Sequence, residues 1–558
     1  MFSLAVESMQ GGRPSQNEER RRSSYGVQGN GAVQDGPEGF DFGSRRRSTQ
    51  LQHQIMQQQK PFRSMHSNTT IDKLPDKTLL HILGFLEHKE ICRLAQVNRK
   101  WRQLAYDNRL WSSVSLRPEY GGLVAAPPPD TAVHLIASRF GAQLKCIELP
   151  IELITAQVFH ELANKCPNLV HLVLDFSNAM QLHDFNDLNA FPSKLRTLNI
   201  CLSDVIFMEG FMRKIYNFIN SVECLQLIGT YEKVSEEEEE VHETVQITKL
   251  KSHVPNLRVI NFFGVKFLDD NHIEAISSNC VHLECLCIKF CTKYTGTSLK
   301  TLLQRCRKLS CLLMEQTGIK SEHFQDAEWE KSRVSELDIT SCEITSAALI
   351  DVLGRIKNLK WFCAGHVDGF DNQVLDSIMQ SGLAKSLVAI DLQSCDNLTE
   401  EYLFKFLEAH GNQLLGLNLA GIPWLVETFW TQSVPFLRKI KILIMGTGKI
   451  VTITRVSSKI HVDQIIDCVA VNCPQIERLE IRWDPETLRF SDKSSKFIDT
   501  LRVKASKLRS LTLSDGEYFE LVKSNFERAH RRAIVRTTVN CSTTILPLLP
   551  YFKDLRFN

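Results

Sequence analysis

Four of the chain's 17 cysteines fall in the stretch CVHLECLCIKFC, residues 280–291, and Cys285, Cys287 and Cys291 lie within seven positions of one another. Thiols at this density could ligate a metal, exchange disulfides or pack. A structural zinc or an iron–sulfur cluster requires four ligands converging within a few ångströms. Cys285, Cys287 and the equivalent Cys311 supply three, spread over two neighbouring strands, with no evident histidine or fourth cysteine to complete a set. No metal or other cofactor is therefore expected. The three thiols are expected to face solvent or a partner.

Other catalytic motifs are present only in fragments. MGTGKI (445–450) has the tail of a phosphate loop, but Leu443 stands where the first glycine belongs and Ile450 where Ser or Thr would bind magnesium. HELANK (160–165) lacks the second histidine of a zinc-protease helix. There is no Gly-x-Ser-x-Gly elbow. The sequence therefore reads as a binding protein rather than an enzyme.

Composition sets the frame. A chain of 558 residues is too long for one ordinary core, so several units or a repeat array are expected. A net charge of +2 gives no dominant polyanion-binding surface, and no nucleic acid partner is expected. No apolar run approaches the roughly 18 to 20 residues of a membrane span. The opening MFSLAVESMQGG lacks the basic start and apolar core of a secretory signal. A cytoplasmic or nuclear chain with reduced thiols is the expectation.

The elements that position the cysteines repeat. Leu-x-x-Leu-x-Leu phrases recur from LKCIEL at 144 through LECLCI at 283, LSCLLM at 309, LVAIDL at 387 and LRKIKI at 437 to FKDLRF at 552. There are about fifteen, mostly 23 to 28 residues apart, the period of a strand-plus-helix solenoid in which each repeat is stabilised by its neighbours. Cys291, Cys342 and Cys395 complete a Leu-x-x-Leu-x-Leu-x-x-Cys frame, and Cys166, Cys280, Cys306 and Cys473 end helices just before strands. Small side chains that tolerate burial suit both places. The fold class is α/β, with the solenoid over 131–558.

Upstream, residues 1–68 are rich in Gly, Ser, Gln and Arg and are expected to be disordered. Ser23 and Ser48 follow arginine runs and are candidate phosphorylation sites. From Ile71 the texture changes to IDKLPDKTLLHILGFLEHKEICRLAQVNRKWRQLAYDNRLW. Apolar residues at helical spacing predict three short helices, with Pro75 suited to the first turn of the first. A segment this small encloses few side chains, so the surplus of large apolar ones should cover a partner. Residues 116–130, with RPEYGGLVAAPPPD at 117–130, read as a linker.

LPDKTLLHILGFL, then ICRLAQVNRKWRQLA, then DNRLW resembles an F-box over 69–115, and the repeats resemble the cysteine-containing leucine-rich repeats of F-box proteins. Asn98 departs mildly from the Cys or Ser common in the family. The resemblance implies a three-helix F-box docking on a Skp-type adaptor and, through it, on cullin and RING subunits. It implies adaptor contacts or their support at Leu74, Pro75, Ile82, Leu83, Leu86, Ile91, Leu94, Val97, Trp101 and Trp111. The chain would be the non-catalytic substrate receptor of an SCF-type ubiquitin ligase. The alternatives are a scaffold that binds the adaptor without delivering a client and, more weakly, a metal- or redox-sensing receptor using Cys285, Cys287 and Cys311.

Residues two, four, six and seven places after each opening residue should line the concave face, the binding side of such solenoids. The predicted client surface is Glu315, Glu336, Asp338, Trp361 and Asp391 in the middle, then Lys439, Lys441, Arg478, Arg482 and Trp483, with Arg556 beyond. This amounts to a groove that changes sign along its arc. EKVSEEEEEVHE (232–243) is expected to be a solvated acidic loop.

Overall fold

The computed structural model describes residues 71–118, 123, 125–203, 205–229, 242–446, 460–483, 487–491, 493–514, 517–527 and 534–537. They divide between Leu86 and Glu87 into two compact units. Ser23, Ser48, Arg556 and most of the acidic run lie outside the described residues.

The first unit is a 3-10 turn, Ile71–Lys73, and a helix, Asp76–Leu83. Pro75 is the residue before this helix rather than part of its first turn, and its carbonyl accepts the Leu79 N–H at 3.0 Å. Proline suits that entry because its φ is already set and no donor is lost. Leu79, Leu80 and Leu83 are buried.

The second unit begins with the helices His88–Leu94 and Arg99–Ala105. Glu87 and Glu90 form a reciprocal capping box at the first. Asn98 caps the second by accepting the Trp101 N–H at 2.8 Å; the departure from the family residue thus keeps a good capping side chain. A 3-10 turn, Asn108–Trp111, follows, and the next strand, Ser113–Ser115, is already the first of the solenoid sheet, paired parallel to Cys146–Pro150. The end of the predicted F-box is therefore part of the sheet. Leu116 and Arg117 are buried, with Arg117 paired to Asp175 at 2.7 Å.

Sixteen described strands form one parallel sheet in strict chain order, and a two-stranded sheet joins Ile460–His461 to Leu488–Arg489. Each repeat passes from a strand through a helix or turn to the adjacent strand. In register, one column runs Val259, Cys285, Cys311, Glu336, Trp361, Ala389. The next column runs Ile260, Leu286, Leu312, Leu337, Phe362, Ile390, all almost fully buried toward the core. Period-two alternation explains the split.

Short polar links tie each repeat to the one before. Cys291, Cys342 and Cys395 donate their thiols to the carbonyls of Phe262, Met314 and Ala364 at 3.0, 3.1 and 3.2 Å. Asp270 accepts the N–H groups of Thr295 and Ser298, at 2.7 and 2.9 Å, and both hydroxyls. One turn position per repeat is left-handed: Gly264, Phe290, Gln316, Ser341, His366, Ser394 and Gly421 all have positive φ. Its N–H donates to the following repeat each time, for example Gln316 to Thr340 O at 2.8 Å. Among the described residues, no helix is long and apolar enough to cross a membrane.

Candidate binding surfaces

Helical spacing sorts the side chains of the F-box-like segment into those that hold it together and those left outside. In the first unit Leu83 is buried and Leu86 half-buried, whereas Leu74, Pro75 and Ile82 are exposed. Phe85, three places after Ile82, is 78% exposed, and its ring makes an edge contact with His81. Phe85 was not among the residues singled out, although its i+3 spacing from Ile82 carried the signal. In the second unit Ile91 and Trp111 are buried, Leu94 and Trp101 half-buried, and Val97 is 63% exposed. Of the ten candidates, Leu83, Ile91 and Trp111 can only support the segment.

Trp111 is an anchor for the second unit. Its indole donates to Ala105 O at 2.9 Å and stacks on His88 and Phe140, with centroids 4.8 and 5.9 Å away. Arg139 lies 3.6 Å over the Tyr106 ring. Burial pushes the His88 pKa down, partly offset by its hydrogen bond to Leu110 O.

The concave face differs from its expected form. Cys285, Cys287 and Cys311 are buried, not facing solvent. They pack in one apolar strip with Cys224, Val259, Leu313, Cys363, Ala389, Ala420 and Ile444, and Trp361 lies half-buried against it. Parallel strands lie about 4.8 Å apart, so like columns stack and cover one another's flanks. Burial raises the pKa of Cys287 to about 12 and those of Cys311 and Cys363 well above the usual thiol value, so thiolate chemistry is suppressed at these three. Among the described residues, no group of three or more His, Cys, Asp and Glu could hold a metal ion.

The charged candidates are also largely consumed internally. Lys289 sits between Glu315 at 2.7 Å and Asp338 at 2.5 Å, and is itself buried. Burial alone would lower its pKa; the two carboxylates instead hold it well above the usual value. Glu336 is buried beside this group in the sheet register. Asp391 accepts from Gln393 N at 3.0 Å and Asn418 Nδ2 at 2.9 Å, yet burial pushes its carboxyl up to about 7. Glu480, fully buried, pairs with both Arg478 and Arg482. Trp483 is buried too and offers no anchor.

Lys439 and Lys441 are misplaced by the phrase at 437. The strand is Ile442–Met445, and Leu443, not Ile440, takes the core column. The opening residue is Ile440, three places later, because IKIL supplies the same apolar spacing as LRKI. Lys439 is thus an exposed residue before the strand, and Lys441 precedes the concave column, paired to Glu477 at 3.3 Å. Lys289 and Glu480 went unnoticed, although they stand six and four places after Leu283 and Ile476. Of the charges expected along the arc, Glu315, Asp338, Lys441, Arg478 and Arg482 are held in ion pairs and Asp391 in hydrogen bonds, while Lys439 is exposed.

A family model described as F-box-like matches residues 71–117. Human F-box/LRR-repeat protein 12 is 26% identical over 139 residues, which is 24% of this chain and 40% of that protein. F-box/LRR-repeat protein 5 of Xenopus tropicalis is 42% identical over 45 residues, 8% of this chain and 7% of that protein. The putative RNA-binding protein EEED8.10 of Caenorhabditis elegans is 24% identical over 255 residues, 45% of this chain and 33% of that protein. The chain therefore spans well under half the length of the curated relatives it matches. A solved structure of the yeast Rad7 and Elc1 complex overlays with a TM-score of 0.37 at 15% identity, covering 81% of this chain and 96% of that one.

Proposed function

We propose, from the premise that this chain is an F-box and leucine-rich-repeat protein, that it is the non-catalytic substrate receptor of an SCF-type ubiquitin ligase, working in the cytoplasm or nucleus. The F-box docks on a Skp-type adaptor and through it on cullin and RING subunits. The solenoid holds a client protein near the ubiquitin-loaded enzyme. The gain in rate is one of proximity, as high effective concentration replaces a bimolecular encounter.

The observation that carries this reading is the large apolar side chain left uncovered in each unit of the F-box-like segment, Phe85 in the first and Val97 in the second. Large exposed apolar side chains on a short helical segment mark a surface to be covered by another polypeptide. Burying a Phe or Val side chain is worth about 1.5–3 kcal/mol each, enough for a few such residues to dominate an interface. The adaptor covers them.

The test is affinity capture of the tagged chain from cells, with and without Phe85→Ser. The wild type should bring down adaptor and cullin together, and at least one co-captured protein should live longer when the chain is deleted. Capture of the adaptor with no client of altered lifetime would favour a scaffold that delivers nothing.

A further inference from the structure

The edge of the solenoid where the chain enters its strands carries charge that the fold does not consume. Six successive strands start at Cys311, Glu336, Trp361, Ala389, Gly416 and Ile442. The four residues before each read RKLS (307–310), SRVS (332–335), KNLK (357–360), KSLV (385–388), NQLL (412–415) and RKIK (438–441). Together they hold nine basic side chains and no acidic one, in a chain whose net charge is only +2. All nine are exposed. Among the described residues, only Lys441 of the nine is paired with a carboxylate, Glu477 at 3.3 Å. Acids just upstream are engaged elsewhere, Glu328 with Lys331 at 2.9 Å and Glu330 with Arg355 at 3.4 Å. Earlier on the same edge the pattern differs: Glu223 and Glu284 stand directly before their strands and are tied to Arg196 and Arg258, each at 3.0 Å.

The backbone sets these cations in a row. Ser335 N donates to Ser310 O, Lys360 N to Ser335 O, Val388 N to Lys360 O, Leu415 N to Val388 O and Lys441 N to Leu415 O, all at 2.7–2.8 Å. Parallel strands step about 4.8 Å, so six entries span about 24 Å. The charges hang from a fixed frame, and their mutual repulsion is relieved by a partner of opposite sign. Their field is felt between repeats: burial, and then the charge of Lys385 on the preceding repeat, hold the His410 imidazole below its usual pKa. A linear anion fits a row. Single-stranded nucleic acid is one, but its binders add aromatic platforms for the bases, and none of the six tetrapeptides contains an aromatic residue. An acidic stretch of protein needs no such platform.

We propose that this strand-entry edge is the client-docking surface, and that it takes an extended segment of the client rich in aspartate and glutamate. The proposal rests on the receptor reading and adds the place and the chemical class of the substrate. About seven extended residues cover the row at roughly 3.4 Å each. Their carboxylates meet the unpaired guanidinium and ammonium groups of successive repeats. The same field steers the approach of the client and makes binding weaken as salt rises.

The test uses the purified full chain and three labelled probes: a peptide of about ten residues alternating glutamate and serine, its counterpart with glutamine for every glutamate, and a uridine oligonucleotide of the same number of units. Fluorescence anisotropy should show the glutamate peptide bound, more weakly as salt rises, and the glutamine peptide not. Arg333→Glu with Lys357→Glu, on adjacent strand entries, should weaken binding at least about tenfold. Lys496→Glu with Lys504→Glu makes the same change of net charge at exposed positions of the helix Ser494–Lys504 and should leave binding within about twofold of the wild type. Arg333 and Lys357 are exposed, so the thermal melt should not move. Should it move, Arg333→Gln with Lys357→Gln replaces the reversal and should weaken binding in the same direction. No binding of the glutamate peptide to the wild type, equal binding of the glutamine peptide, or equal loss in the edge and helix pairs would overturn the proposal. So would tighter binding of the oligonucleotide than of the acidic peptide, for the occupant would then be a nucleic acid. Failure of the receptor reading looks different: adaptor capture would be absent while peptide binding persisted.

Discussion

The F-box and the concave face invert the usual relation between polarity and burial. At the F-box, Phe85 and Val97 are apolar and exposed. On the concave face, Lys289, Asp338, Glu480 and Arg482 are charged and buried. An exposed apolar side chain leaves a favourable burial undone until a partner arrives. A buried charge has already lost its water and is tolerable only because its counter-ion is beside it. The first region therefore leaves apolar surface uncovered, whereas the second holds most of its charges in internal pairs.

The largest effect expected from breaking this contrast is at Lys289. Lys289→Ala leaves the buried Asp338 and the half-buried Glu315 without a cation and should cost about 3–5 kcal/mol, read as early unfolding of the central repeats in urea or by limited proteolysis. Phe85→Ser should do the opposite: adaptor affinity falls about 100-fold or more, as for an interface hot spot, while the urea transition is unchanged. If Lys289→Ala melts like the wild type, the concave face is not closed in the sense described.

Asp391 sharpens the comparison through pH. Its carboxyl in the folded chain titrates near 7, well above the usual unfolded value of about 3.9. The folded state therefore holds a proton that the unfolded state has released, and stability falls as pH rises between about 4 and 7. Asp391→Asn should flatten that dependence and raise stability at pH 8, measured by urea titration across the range. A variant that keeps the wild-type slope would place the titrating group elsewhere.

Smaller effects distinguish the two kinds of cysteine. Cys291→Ala removes a thiol that donates to Phe262 O and should cost roughly 1–3 kcal/mol. Cys291→Ser keeps a donor there and should cost less. At Cys285, within the apolar strip, the order should reverse, with Cys285→Ala milder than Cys285→Ser because its side-chain partner, Cys311, is a thiol and only a weak acceptor for a buried hydroxyl. Smallest of all, Gln316→Gly should stabilise by up to about 1 kcal/mol, since a non-glycine residue in the left-handed region is strained by about 1–2 kcal/mol and glycine returns part of that as chain entropy.

The solenoid was legible because its signal is redundant: Leu-x-x-Leu-x-Leu repeated at one period needs no single phrase to be right. Where the redundancy failed locally, at 437, two apolar spacings competed in LRKIKILIM and the register slipped by three residues. The packing cysteines were legible for the same reason, whereas the exposure of Cys285 and Cys311 was not. Alternation tells which side of a strand a residue takes, but not that neighbouring strands will stack like columns until that side is covered. The ion clusters were hidden because pairing is non-local: Lys289 and Asp338 are 49 residues apart in the chain and 2.5 Å apart in space. The F-box showed its members but not their division of labour, so Trp111, an internal anchor, was grouped with Val97, a free surface. The left-handed turn at Phe290, Gln316, Ser341, His366 and Ser394 had no sequence signal, because glycine, its usual marker, stands only at the flanking 264 and 421.

The central claim is that the uncovered F-box surface exists to bind an adaptor, and calorimetric titration of the purified full chain with a Skp-type adaptor tests it most directly. The account predicts a one-to-one complex with a negative heat-capacity change, lost in Phe85→Ser while the melting profile stays the same. A wild-type chain that stays monomeric and indifferent to the adaptor, or a Phe85→Ser variant that binds it as tightly, would contradict the account.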